Sequence, residues 1–303
     1  MKPCSFGPVP LDPAFEQFGL IPEGSTAADA VRRAGLLGPR TLVLVCTPTD
    51  SHVRYARELA PLVGRVAIEK STCHDPAAAR GLLDFEGHVF PLGHQLFKRE
   101  MLDFVAACRR GELTLADVAR VGFTLFEDKG VGARQIDDAV WDTGWHGIEC
   151  AVAPVLALAG GVRIAIRRVR VATYRAGPDR PRAATAARID AVLSAPAKTI
   201  PVTIRVAKGA RDSAKTVDVF APSGRAVRRV SLVEGGHHAH GRMIEELWSA
   251  RPDMRLNLRE VGDVVSACAS AARRAEVMPA YTYGEPFNYP QLGCVIRSRG
   301  GCR

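Results

Sequence analysis

Residues 41–70 read TLVLVCTPTDSHVRYARELAPLVGRVAIEK, and the fold turns on this stretch. Residues 41–46 (TLVLVC) form a continuous apolar run rich in branched side chains. Such a run predicts a strand buried on both faces, as in a parallel sheet. Asp50 or Ser51 then caps a helix to about residue 63, with Val53, Ala56, Leu59, Ala60 and Val63 on one side. Residues 65–69 (RVAIE) predict a second strand, residues 77–83 a further helical stretch, and His88-Val89-Phe90 the start of a third strand. Strand and helix alternating at this pitch indicate a doubly wound α/β unit.

Towards the N-terminus, residues 1–23 hold prolines at 3, 8, 10, 13 and 22 and read as irregular. Ser25 or Thr26 caps a helix over 27–37, with Asp29 completing a capping box, and Gly38-Pro39 ends it. Towards the C-terminus, residues 97–113 predict a helix carrying Met101, Phe104, Val105 and Cys108. The period then changes. Residues 121–127, 162–166, 200–206 and 217–219 alternate apolar and polar, which predicts one-sided, mainly antiparallel strands. A helix over 146–158 lies between the first two. A helical pair comes next at 242–250 and 258–275, residues 175–187 read as a loop, and the tail is irregular. The expected organisation is an incomplete Rossmann-like parallel sheet over 1–92, an α+β substrate and dimerisation domain with an open antiparallel sheet over 93–280, and a tail over 281–303.

The chain has 303 residues, 47% of them hydrophobic and 24% charged, as in a soluble globular protein. No apolar run reaches the ~18–20 residues of a membrane span, and the start has no signal-peptide core. The expected location is the cytoplasm, with no membrane partner. The eight cysteines show no C-x-x-C spacing. Those in apolar runs, Cys46, Cys150 and Cys268, read as small buried hydrophobes. The net charge of +9 is mostly arginine, but aromatics are only 6%, so nothing interleaves with the basic residues as a nucleic-acid surface requires. A solvated basic face, or attraction to an anionic cofactor or substrate, is the expectation instead.

Three groups of residues carry the chemistry. Thr47-Pro48 comes directly after the first strand, where ligands of open α/β sheets bind; the plainer reading is a strand-to-helix turn. Glu69-Lys70 comes after the second strand. A lysine there, near a positive nicotinamide, has a lowered pKa and donates to a substrate hydroxyl; the plainer reading is a surface loop. Asp142 and His146, four apart, share a helix face, where the carboxylate orients the imidazole as a general base; the plainer reading is an N-cap and a first-turn residue. His237-His238-x-His240 lacks a matching carboxylate or thiol and reads as an exposed turn after Gly235-Gly236, so no metal is expected.

In combination, TLVLVCTPTDSH (41–52), RVAIEKS (65–71) and DTGWHGIE (142–149) resemble the Gfo/Idh/MocA family of sugar and cyclitol dehydrogenases, whose members show TP-x-x-x-H, EKP and D-x-x-x-H in this order. The resemblance implies reversible hydride transfer between NAD or NADP and a hydroxyl carbon of a small sugar-like substrate. His146 takes the hydroxyl proton, Lys70 stabilises the developing alkoxide, and Asp142 tunes His146. Thr47, Pro48, His52 and Glu69 belong to the cofactor side. The second part is similar to glucose-6-phosphate dehydrogenase: Gly93-His94-Gln95-Leu96-Phe97-Lys98 stands where that family has DHYLGK. This implies that Lys98 and His94 point into the substrate cleft, onto a phosphate. Gly93 replaces the leading aspartate, and Ser71 replaces the proline of EKP, which loosens that turn. The open sheet suggests a homo-oligomer surface.

The family pattern opens with a strand, G-x-G-x-x-G, a helix and a second strand. Here Phe15-Glu-Gln-Phe-Gly-Leu already resembles the segment after that second strand, and fewer than ~20 residues precede it, against the ~30 a βαβ unit needs. Gly130-Val-Gly132 fails as a fingerprint at Gln135 and reads as a turn. The expectation is a dehydrogenase whose start is set too late or whose missing half comes from elsewhere. The alternatives are a cofactor-free relic that binds sugar phosphates or a partner, and a lyase or isomerase using the same Lys/His pair.

Overall fold

The computed structural model describes residues 26–127, 139–160, 162, 164–175, 186–195, 197–208, 213–249, 262 and 264–266, and the backbone of 4–5, 16–17, 276–277, 286–289 and 294–297. Most of the stretch over 1–23, the turn at 130–135, Cys268, and most of the predicted helix over 258–275 and of the tail lie outside the described residues.

Two short strands, β1 (Cys4–Ser5) and β2 (Glu16–Gln17), pair in parallel. Helix α1 (Ala27–Arg33) starts from the predicted capping box: Thr26 Oγ1 accepts from the Asp29 amide, and the Asp29 carboxylate accepts from the Thr26 amide. Strands β3 (Gly38–Val45), β4 (Val63–Ile68) and β5 (Val89–Pro91) then form a parallel sheet in the order β3-β4-β5. Helices α2 (Thr49–Leu59) and α3 (Pro76–Arg80) cross between them. The Rossmann-like unit is thus as expected, with one correction. The apolar run in β3 is not buried on both faces; Leu44 is 38% exposed. Its strand is at the edge of this sheet, whereas β4 sits between two neighbours and has Val66, Ala67 and Ile68 at 0% exposure. Val63 belongs to β4, because α2 ends at Leu59.

Helix α4 (Arg99–Arg109) leads to β6 (Arg120–Glu127), and a π-helical turn (Val140–Gly144) opens helix α5 (Trp145–Leu158). Strands β7 (Ala165–Arg175), β8 (Ala186–Ala195), β9 (Lys198–Lys208), β10 (Ala214–Phe220), β11 (Ala226–Ser231) and β12 (Glu276–Val277) complete a seven-stranded sheet in the order β11-β10-β6-β9-β8-β7-β12. β6 and β9 are parallel, as are β7 and β12; the other pairs are antiparallel. Helix α6 (Gly236–Ser249) comes after β11, and β13 (Pro286–Tyr289) pairs with β14 (Cys294–Arg297). Strands β8 and β11 escape the sequence reading. The first is alanine-rich and the second carries two arginines at a sheet edge, so neither has the branched, half-apolar look of a strand. No helix among the described residues is long and apolar enough to cross a membrane.

Helix α5 lies against one face of the large sheet, and every residue from Trp145 to Val155 is buried. Gly147 permits the approach: a Cβ there would run into Ile204 of β9 and Phe123 of β6. The opposite face of the sheet is polar. Arg188 pairs with Asp190 at 2.8 Å, Thr203 donates to Asp190 at 2.9 Å, and Arg205 donates to Thr124 at 3.0 Å.

Candidate active site

The carboxyl ends of β3, β4 and β5 deliver three segments to one edge: Cys46-Thr47-Pro48, Glu69-Lys70-Ser71 and Leu92-Gly93-His94. His52, 1% exposed, staples the first two. One ring nitrogen faces the Ser71 carbonyl at 2.9 Å and the other the Thr47 carbonyl at 2.5 Å. It therefore shapes the edge from beneath rather than reaching outward. Thr47 and Pro48 are exposed, and the Thr47 and Ser51 hydroxyls share a hydrogen bond of 2.7 Å. Cys46 is exposed as well, correcting its reading as a buried thiol; Cys150 is fully buried. Ser71 is not in a loosened turn. It is fully buried, its hydroxyl donates to the Trp141 carbonyl, and the peptide before it is cis.

Lys70 forms an ion pair with Asp142, and so does Lys208 at the end of β9. Lys208 was missed in the sequence, although the alternation Ile204-x-Val206-x-Lys208 puts it in phase with core positions. Asp142 does not meet His146. The intervening turn is π-helical, with i→i+5 bonding, so the α-helical i, i+4 alignment does not hold. The carboxylate facing His146 is Glu149, with Oε2 at 3.5 Å from His146 Nδ1 and Oε1 accepting from the Trp145 indole at 3.2 Å. Both are nearly inaccessible, His146 at 3% and Glu149 at 2%, and neither Nδ1 nor Oε2 has a hydrogen-bond partner. Burial, assisted by His94, Lys70, Lys215 and His240, holds His146 well below the usual histidine range. Burial, then the nearby Glu69 charge, holds Glu149 well above the carboxylate range. The carboxyl and the imidazole thus face each other out of reach of solvent, each pushed toward its neutral form.

Gly93 explains why that carboxylate fits. A Cβ at 93 would collide with all three carboxyl atoms of Glu149. The glutamate on α5 thus occupies the space that a side chain at 93 would need. Gly93→Ala is expected to destabilise the protein by about 1–3 kcal/mol, the cost of overpacking a filled core. In urea denaturation, adding Gly93→Ala to a Glu149→Ala background should cost far less. A single variant as stable as the parent would refute this packing.

His94 is half-buried, edge-on to His146 with ring centroids 4.7 Å apart, and stacked on His240 at 4.4 Å. Its Nε2 accepts from the Gln95 side-chain amide at 2.9 Å. Burial, with the charges of His240, Lys215, Lys70 and Lys98, pushes it down to about 3. His240 lies in the first turns of α6, not in an exposed turn before it, and its Nδ1 donates to the Gly236 carbonyl at 2.7 Å. Lys98 is 4% exposed, and its ammonium donates to the carbonyls of Glu234 and, at 3.5 Å, Leu232. It is committed to closing the β11–α6 connection. Glu69 lies beside Lys70, and burial raises its carboxyl. No group of three or more metal-ligating side chains occurs among the described residues.

No family model matches the sequence, and no curated protein matches it. Solved structures match by shape. GenD2 from gentamicin A biosynthesis, in complex with NAD, gives a TM-score of 0.57 at 17% identity, covering 82% of this chain and 82% of its own. A putative myo-inositol dehydrogenase from Sinorhizobium meliloti likewise gives 0.57 at 17%, with 82% of each chain covered. Glucose-6-phosphate 1-dehydrogenase from Mycobacterium avium gives 0.58 at 13%, covering 83% of this chain and 75% of its own. The class defined is one of fold: a Rossmann-like parallel sheet and then an open, mostly antiparallel mixed sheet, shared with these solved structures.

Proposed function

We propose that the chain is an NAD(P)-dependent oxidoreductase of Gfo/Idh/MocA type, acting on a hydroxyl carbon of a small sugar-like substrate. What supports this reading is Lys70 at the carboxyl edge of the parallel sheet, close enough for its charge to act on the buried His146 ring. The nicotinamide end fits: Thr47 and Pro48 are exposed at the end of β3, with Glu69 and Lys70 beside them. No glycine turn among the described residues offers a seat for the pyrophosphate. The nicotinamide, when bound, takes or returns the hydride. The protein's own groups handle the proton and the charge. Lys70 donates to the substrate oxygen and stabilises negative charge as it develops there. His146 accepts the hydroxyl proton, which its neutral state permits, and Glu149 fixes which ring nitrogen is free. Asp142, between two lysines, sets the place of the Lys70 ammonium rather than tuning the imidazole.

NADH and NADPH titration of the whole chain, monitored by nicotinamide fluorescence, is the direct test. Saturable binding of either, weakened by a substitution such as Thr47→Trp at the sheet edge, is the expected result. Absence of binding by both at millimolar concentration would remove the oxidoreductase reading.

A further inference from the structure

The large sheet brings two lysines to the side covered by α5, Lys208 and Lys215, and of these Lys208 has a carboxylate partner, Asp142. Strand register places both. Phe123 and Ile204 lie under Gly147, so their side of the sheet is the side covered by α5. On β9, alternation from Ile204 carries Lys208 to that side. On β10, Val217 pairs with Phe123 and Lys215 with Leu125, so Lys215 also faces α5. β10 runs antiparallel to β6, and β9 runs parallel to it, so Lys215 opens its strand at the end where Lys208 closes its own.

Lys70 and Lys208 both pair with the carboxylate of Asp142. Glu127 closes β6 in register with Lys208. Lys98 is held by carbonyl dipoles, with the Glu100 and Glu234 carboxylates near enough to act on its charge. The Glu234 carboxylate is engaged by Arg242 and by the Arg99 amide, and Glu100 by the amides of Val233 and Glu234. Lys215, half-buried, has no hydrogen bond or ion pair from its ammonium among the described residues. His240 stands on the same rim, and α6 begins against His94. A cation removed from water without an anion is costly, and that cost is relieved by a ligand of opposite sign.

We propose that this cleft receives a substrate bearing an anionic group, a phosphate ester or a carboxylate, and that Lys215 is its counter-charge. The proposal rests on the reading that the cleft takes a sugar-like substrate. It differs from the expectation drawn from Lys98, whose ammonium is spent on the carbonyls of 232 and 234. The influence of Lys215 on its surroundings agrees with such a position: it helps push both His94 and Lys98 down.

The test is calorimetric titration of the whole chain, without cofactor, with inorganic phosphate, acetate and myo-inositol as probes, sodium chloride holding the ionic strength constant. Phosphate or acetate should bind. Lys215→Met should weaken that binding about tenfold or more, the loss expected for a charged hydrogen bond, while Lys215→Arg should restore most of it. Circular dichroism would check that both variants fold. Binding of phosphate alone supports an ester, and binding of acetate alone supports a sugar acid. Failure of both anions to bind, or equal binding by Lys215→Met, would overturn the proposal. NADH titration judges the oxidoreductase reading separately, so either can fail without the other.

Discussion

Lys70→Ala is expected to lower turnover by about two to three orders of magnitude, the usual effect of removing a donor aimed at a developing oxyanion. His146→Gln is expected to lower it by about two to four orders, the range for a general base. The fold should survive both. Without Lys70, Asp142 still has Lys208, so no buried charge is stranded. Glutamine in place of His146 keeps most of the volume beside Glu149. Because the two groups act on one oxygen, the double variant should be scarcely slower than the worse single one. Steady-state rates on any sugar that turns over, with thermal melts alongside, would check this. A folded variant of either residue with near-parental turnover would dismiss these roles.

The second large effect is on stability against pH. In the unfolded chain a histidine takes up its proton near pH ~6.5. In the fold, His94 resists protonation down to about 3, and His146 also lies well below its ordinary value. Below pH ~6.5 the unfolded state therefore binds more protons, and each ring lowers stability by up to about 1.4 kcal/mol per pH unit. Glu69 and Glu149 have the opposite sign. Their folded carboxyls stay protonated to higher pH, so their contribution falls as pH rises above the unfolded value near ~4.3. The parent should thus show little net slope between these limits, and variants should reveal the opposing parts. Relative to the parent, His94→Phe should gain about 2 kcal/mol between pH 6.5 and 4.5. Glu149→Gln should gain relative to the parent as pH rises through the same window. Urea midpoints at several pH values measure both, and curves parallel to the parent's would refute the buried neutral pair.

The parallel unit was legible because branched apolar runs, a capping box and turn residues agreed over residues 26–91. What could not be read was which strand is central. TLVLVC is the more apolar segment, yet RVAI is the buried one, because burial depends on neighbours in the sheet and not on composition. Lys70 and His146 could be placed from the residue pattern, since a strand end and a helix start set their positions. The expected alignment of Asp142 with His146 failed because a π-helical turn gives no sign in the residue pattern. Glu149 was hidden for the opposite reason: it lies three residues beyond His146 in a run of apolar neighbours and reads as a stray charge in a buried helix. Lys208 and Lys215 carried a usable signal, since each continues the core phase of its strand.

The glycine at 93 and the glutamate at 149 share one volume, so a side chain at the first excludes the long carboxylate at the second. In descent, lineages related to this chain should change the two sites together, an acid on the β5 side accompanying a short residue on α5, or the reverse. The partner of the buried imidazole can then migrate from the segment after β5 to helix α5 while the imidazole itself stays where it is.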